Sequence, residues 1–325
     1  MIYINDKEVN LIYNLGTKVK EVFSYGTKIW PKEVLFDYMF FKLADGYTSG
    51  NVSYKFDEYY NLHNKYLKIS TDGSNWNDWT EAISMTQNVK YYIKGEDNYV
   101  RNSDKPGGFF SSDVSQNAFN IECGGNVMSL CNNATEITVP YCLRSLFHNM
   151  TNLVTAPKLP ATTLVRGCYK SMFNNCSSLT EAPELPATTL EDDCYAMMFY
   201  KSNKLNWIKA LFTDWYISGH TKNWVNGVSA QGVFVKNIDA EWEDTDVNVI
   251  PPEWQIIYYN QTEDKYYTTQ TKEEECDKYG NPLGAARMKL FTRKPTDVGI
   301  FWDPEAELFD NSDNSDIEVS EYMSE

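Results

Sequence analysis

The 325 residues have room for two or three domains, and an apolar fraction of 42% supplies real cores and excludes wholesale disorder. A formal charge of −16, from 29 Lys and Arg against 45 Asp and Glu, opposes both nucleic-acid binding and docking to anionic lipid. Tyr, Phe and Trp make up 15% of the chain, which suits β-rich structure and surfaces where flat rings meet a partner.

The first residues lack the basic and apolar regions of a secretory signal, and no run of about 18 apolar residues predicts a membrane-spanning helix. The expected product therefore starts in the cytosol. Residues 1–33 hold a short repeat of their own. Ile12-Tyr13-Asn14-Leu15-Gly16-Thr17-Lys18-Val19 is echoed by Val22-Phe23-Ser24-Tyr25-Gly26-Thr27-Lys28-Ile29, ending at Trp30-Pro31. Alternating β-branched and aromatic residues with Gly at the turns predict two or three hairpin strands. So small a sheet is marginal in water. Residues 1–33 therefore read as an anchoring module that needs a partner surface, with Tyr13, Phe23, Tyr25 and Trp30 as its candidate contacts. A plain hairpin packed on the next domain is the alternative.

Residues 34–118 predict a β-rich domain. Tyr66-Leu67-Lys68-Ile69-Ser70 leads into the turn signal Thr71-Asp72-Gly73-Ser74-Asn75, and Val89 to Lys94 alternates like a half-buried strand. The Asp-Gly-Ser-Asn-Trp-Asn-Asp run lacks the ligand spacing of an EF-hand loop, so a solvated hairpin tip is favoured over a calcium site.

From 119 to 256 the chain repeats with a period of 26 residues. Cys168-Tyr169-Lys170-Ser171-Met172-Phe173-Asn174-Asn175-Cys176 leads to Leu179, Ala182-Pro183, Leu185 and Pro186-Ala187-Thr188-Thr189-Leu190. One turn earlier stand Cys142, Phe147, Leu153, Ala156-Pro157, Leu159 and Leu164; one turn later stand Cys194-Tyr195, Met198-Phe199 and Leu205. A fixed period in this range predicts a solenoid, whose units cannot bury their apolar faces alone. Proline in each Ala-Pro pair donates no hydrogen bond, which predicts short, irregular strands. The Cys-Tyr-x-x-Met-Phe spacing predicts one or two helical turns on the opposite side. Cys142, Cys168 and Cys194 should stack as free core thiols; a metal cluster is the alternative, disfavoured because no CxxC pair exists. Positions that vary inside the fixed frame are the candidate binding surface: Thr155, Glu181 and Trp207 are equivalent, as are Lys158 and Glu184.

Residues 257–325 predict a β extension and a solvated or partner-bound acidic tail, with nine acidic residues and no Lys or Arg after residue 302. No GxSxG, HExxH or P-loop occurs, and the three His suggest no triad. The expectation is a non-enzymatic chain without cofactor or catalytic metal.

At the Cys-Tyr-x-x-Met-Phe-x-x-Cys-x-x-Leu-Thr-x-Ala-Pro-x-Leu-Pro-Ala-Thr-Thr-Leu unit, the chain resembles BspA-like leucine-rich repeats, found on bacterial and protist surfaces and in phages of gut Bacteroidetes. That resemblance implies a mixed α/β, β-rich fold: an N-terminal module 1–33, a β domain 34–118, a leucine-rich-repeat solenoid with caps over 119–256, and a C-terminal extension with acidic tail. The Gly-Thr-Lys strand repeats ending in Trp-Pro resemble N-terminal segments of phage virion proteins. The expected function is a virion structural protein, a head or tail fibre, decoration or adhesin-like component. It would be a homo-oligomer located in the virion, anchored to other virion proteins through residues 1–33 and displaying the repeats to a host-surface or mucosal glycan or protein. A bacterial cell-surface adhesion protein and a purely structural spacer are the alternatives.

Overall fold

The computed structural model describes residues 37–54, 67–96, 109–115, 118–213, 219–242 and 246–283, with the backbone of four short strands ahead of them. Strands β1 (Ile2–Ile4) and β2 (Lys7–Val9) form one antiparallel pair. Strands β3 (Val22–Ser24) and β4 (Thr27–Trp30) form another. Among the described residues neither pair joins a larger sheet.

Alternation builds the next unit. In β5 (Met39–Leu43), Met39, Phe41 and Leu43 are buried while Phe40 and Lys42 are half-exposed, the period of two expected of a strand with one face on a core. β6 (Ser49–Tyr54), β7 (Leu67–Ser70), β8 (Asn77–Trp79), β9 (Ile83–Thr86), β10 (Tyr91–Lys94) and β11 (Phe110–Ser111) follow. Next come β12 (Ile121–Gly124) and β13 (Leu153–Thr155). One sheet runs in the order β13-β12-β5-β10-β7-β8, and a second in the order β11-β6-β9. The first sheet thus crosses the junction expected at 118/119: β12 pairs antiparallel with β5 and parallel with β13. A single hydrophobic core extends from Met39 to Trp254.

The mixed α/β fold with a leucine-rich-repeat solenoid is corrected here. The chain is β-rich, its described residues contain no α-helix and form no closed solenoid, and their one helical element is a 3₁₀ helix at Val127–Cys131. The segments expected to be helical are runs of stacked turns. Tyr141, Leu143, Ser145, Phe147 and Asn149 donate their N–H groups to the carbonyls of Arg166, Cys168, Lys170, Met172 and Asn174, one coil further on. Gly167, Tyr169, Ser171, Phe173 and Asn175 repeat this against Asp192, Cys194, Ala196, Met198 and Tyr200. Between them, Cys142, Arg144, His148 and Met150 bond three residues back, to Val139, Tyr141, Ser145 and Phe147. Every fourth residue is left-handed: φ is 60° at Tyr141, 55° at Ser145 and 65° at Asn149. An α-helix needs negative φ throughout and an i→i−4 bond at each step, so this backbone excludes it.

The turns stack their side chains in register. The rings of Phe147 and Phe173 lie 5.2 Å apart at 5°, and those of Phe173 and Phe199 5.7 Å apart at 8°. Phe110 continues the column at one end, 5.6 Å from Phe147, and Trp224 at the other, 6.0 Å from Phe199. Tyr169 and Tyr195 form a second stack, 6.2 Å apart. Cys142, Cys168 and Cys194 are buried free thiols, and burial pushes the Cys168 thiol up to about 12.

On the opposite side, prolines decide where strands form. Where Pro183 interrupts the coil, only single bridges appear, Glu181 to Trp207 and Leu185 to Ala210. The following coil lacks the Ala-Pro pair and forms a full strand, β14 (Trp207–Ala210), parallel to β15 (Val233–Asn237), which is parallel to β16 (Gln255–Asn260). The chain then reverses into β17 (Lys265–Tyr267) and β18 (Glu275–Cys276), both antiparallel, completing a five-stranded sheet. The acidic tail lies outside the described residues.

Candidate interaction surface

The five positions singled out for varying inside the repeat all fall on this strand side. Thr155, at the end of β13, is exposed and its hydroxyl donates to the Cys123 carbonyl at 2.9 Å. Lys158 is exposed and lies 2.6 Å from an Asp37 carboxylate oxygen. Between two such open side chains the attraction is weak, because water screens both charges.

The other three meet the C-terminal strands. Glu181 accepts hydrogen bonds from Lys278 Nζ at 3.2 Å and from the Tyr279 hydroxyl at 2.9 Å. Trp207 is buried; its indole Nε1–H donates to the Lys278 carbonyl at 2.9 Å, and the Lys278 ammonium sits 5.0 Å from its ring centroid. Glu184 accepts from Lys209 Nζ at 3.3 Å. Lys209 is only 3% exposed, its ammonium 3.5 Å from the Tyr259 ring centroid and hydrogen-bonded to the Tyr266 hydroxyl at 3.0 Å. An ammonium can be buried there because an aromatic face, a phenol and a carboxylate together replace its water.

A turn holds this clamp in shape. The Asp277 carboxylate accepts from the Asn281 side chain and from the backbone N–H groups of Asn281 and Tyr279, which keeps it below the usual carboxylate range. Gly280, at φ +85°, passes so close to the sheet that an added Cβ would stand 2.5 Å from Gln255 Nε2 and 2.6 Å from Ile257 Cδ1. Trp207, Val235, Ile257 and Cys276 form a small separate core beneath the turn. Thus Glu181, Glu184 and Trp207 are brought together and engaged by this chain's own residues, while Thr155 and Lys158 stand on the open part of the ridge. Lys209, Tyr259, Tyr266, Lys278 and Tyr279 carry the arrangement, and sequence reasoning passed over them. Four of them lie outside the repeat; Lys209 lies in the coil where the repeat decays.

Of the N-terminal candidates, Phe23 lies on β3 and Trp30 ends β4. Tyr13 and Tyr25 lie outside the described residues. The turn at Asp72 uses its carboxylate locally, accepting from the N–H groups of Asn75 and Ser74 and from the Asn75 side chain, which lowers its pKa. Among the described residues no group of three or more His, Cys, Asp or Glu side chains could hold a metal ion, and no helix is long and apolar enough to cross a membrane. No family model, curated protein or solved structure matches this chain.

Proposed function

We propose that this chain is a non-enzymatic structural protein of a phage virion, joined to other virion proteins through residues 1–33 and presenting its stacked coils as a rigid surface for attachment. The observation that carries the reading is the isolation of the N-terminal hairpins. Among the described residues, β1–β2 and β3–β4 each pair only within themselves, and strand edges left open in this way are ones a second protein can complete. The coils, by contrast, spend their backbone polar groups and aromatic rings on one another, which suits a stiff display element. All seven cysteines are free and buried, which favours assembly in a reducing cytoplasm over the alternative of an exported adhesin.

Deletion of residues 1–33 tests this reading. The truncated chain is expected to unfold at the same temperature as the full chain and to be absent from purified particles. Incorporation at the full-length level would overturn the anchoring role.

A further inference from the structure

The edge of the first coil carries a cationic cluster that the fold itself does not use. The chain has five arginines, and two of them, Arg144 and Arg166, converge on one ring. Their guanidinium carbons lie 5.6 Å and 5.9 Å from the Tyr141 ring centroid. Backbone bonds hold the three residues together: Tyr141 N–H donates to the Arg166 carbonyl at 3.0 Å, and Arg144 N–H to the Tyr141 carbonyl at 3.1 Å.

Three features set this cluster apart from an ordinary surface. Tyr141 is left-handed, at φ 60°, where the equivalent residues one and two coils on are Gly167 at 62° and Asp193 at 58°. Glycine enters that region freely and Asp often, whereas a bulky aromatic there is strained. Secondly, the Tyr141 ring lies across Gly167, where an added Cβ would stand 2.2 Å from the ring edge, so the glycine makes the ring's seat. Thirdly, neither guanidinium has an ion-pair partner among the described residues, although the chain carries a formal charge of −16. On the next coil, Asp193 pairs with Lys170 at 2.9 Å, and Asp192 lies 3.5 Å from His220. Among the described residues, Arg144 Nε is buried without an acceptor and the Tyr141 hydroxyl makes no hydrogen bond.

We propose that Arg144, Arg166 and Tyr141 form a binding site for the carboxylate of an acidic sugar, a uronic or sialic acid. Two unpaired guanidinium forks match a carboxylate's two oxygens, and the free phenol hydroxyl supplies a partner for a neighbouring sugar hydroxyl. An acidic peptide fits less well. Peptides add themselves to open backbone edges, and here the N–H groups of Tyr141, Leu143 and Ser145 already donate to the next coil. The inference deepens the display role proposed above and rests on it for its biological setting.

Calorimetric titration of the full chain with sodium glucuronate tests the site, with sodium acetate, methyl glucoside and a peptide of residues 309–325 as comparisons. Glucuronate is expected to bind more tightly than the other three. Arg166→Ala, at an exposed position, should weaken it by at least about tenfold, the scale of a lost charge-assisted pair, with unchanged thermal unfolding. Arg144→Lys keeps the charge without the fork and should weaken glucuronate binding while leaving the fold intact. Equal binding of acetate would reduce the cluster to a generic anion patch, tighter binding of the peptide would reassign it, and an unaffected Arg166→Ala variant would remove it. A chain that incorporates into particles and attaches to cells yet ignores glucuronate overturns this inference alone; one that fails to incorporate overturns the display role.

Discussion

The two sides of the coils follow the same 26-residue period and use it in opposite ways. On the turn side, over residues 141–202, equivalent side chains contact their own equivalents: Phe on Phe, Tyr on Tyr, and Asn175 Nδ2 donating to Asn149 Oδ1 at 3.0 Å. On the strand side, Glu181 and Trp207 differ from coil to coil and their partners come from outside the repeat, at Lys278 and Tyr279. Identity along the chain builds the core; variation at fixed places receives a segment that does not repeat. The consequence is an uneven distribution of stability, large and shared on one side, small and local on the other.

The largest loss is expected at the centre of the ring column. Phe173→Ala removes a fully buried ring that stacks on both neighbours, and a loss of about 3–5 kcal/mol is expected in denaturant unfolding. A loss below about 1 kcal/mol would mean that the column does not hold the coils together. Gly167→Ala comes next. It places a Cβ against the Tyr141 ring and a side chain at φ +62°, and should cost about 1–2 kcal/mol while moving the Tyr141 ring resonances; unmoved resonances would contradict the described seat.

Tyr169→Phe runs the other way. Among the described residues the buried Tyr169 hydroxyl has no hydrogen-bond partner, so its removal should leave stability unchanged or raise it by up to about 1 kcal/mol. A clear loss of stability would show that the hydroxyl has a partner in solution.

The smallest effect belongs to the clamp. Hydrogen bonds lower the carboxyl pKa of Asp277, and Lys272 and then Tyr267 lower that of Glu263 by donating to it. A carboxylate with a depressed folded pKa stabilises the fold above its ordinary unfolded value and loses that contribution as pH falls towards the depressed one. The protection factors of the amides over residues 263–283, taken relative to the intrinsic exchange rate at each pH, should therefore fall on acidification below the ordinary carboxylate range, while those of residues 143–149 stay high. Equal loosening of both regions would contradict the division between them. Because these acids are exposed, global stability should barely change.

How much of this was legible follows from the same division. The 26-residue period, the inward Leu and Phe positions and the buried thiols all follow from chemistry that repeats, so a single sequence displays them. The expected helix failed because Cys-Tyr-x-x-Met-Phe has the same apolar spacing in a helix as in turns that reverse every fourth residue. The left-handed positions offered a faint signal: Asn149, Ser171 and Asn175 are residue types at home in turns, but Met197 and Lys201 adopt the same φ and hide the pattern. The Ala-Pro pairs were expected to give short, irregular strands; around Pro183 only single bridges form, whereas the following coil, which lacks the pair, forms the full strand β14. The clamp was illegible because Glu181 and Lys278 lie 97 residues apart and share no motif.

The ring column holds the coils in register, and proton–proton contacts measured by nuclear magnetic resonance test it. The stacked turns predict direct contacts between the ring protons of Phe147 and Phe173 and between those of Phe173 and Phe199, 26 residues apart in each case. Sequential helical contacts along residues 168–176, with no contact between the rings, would contradict it.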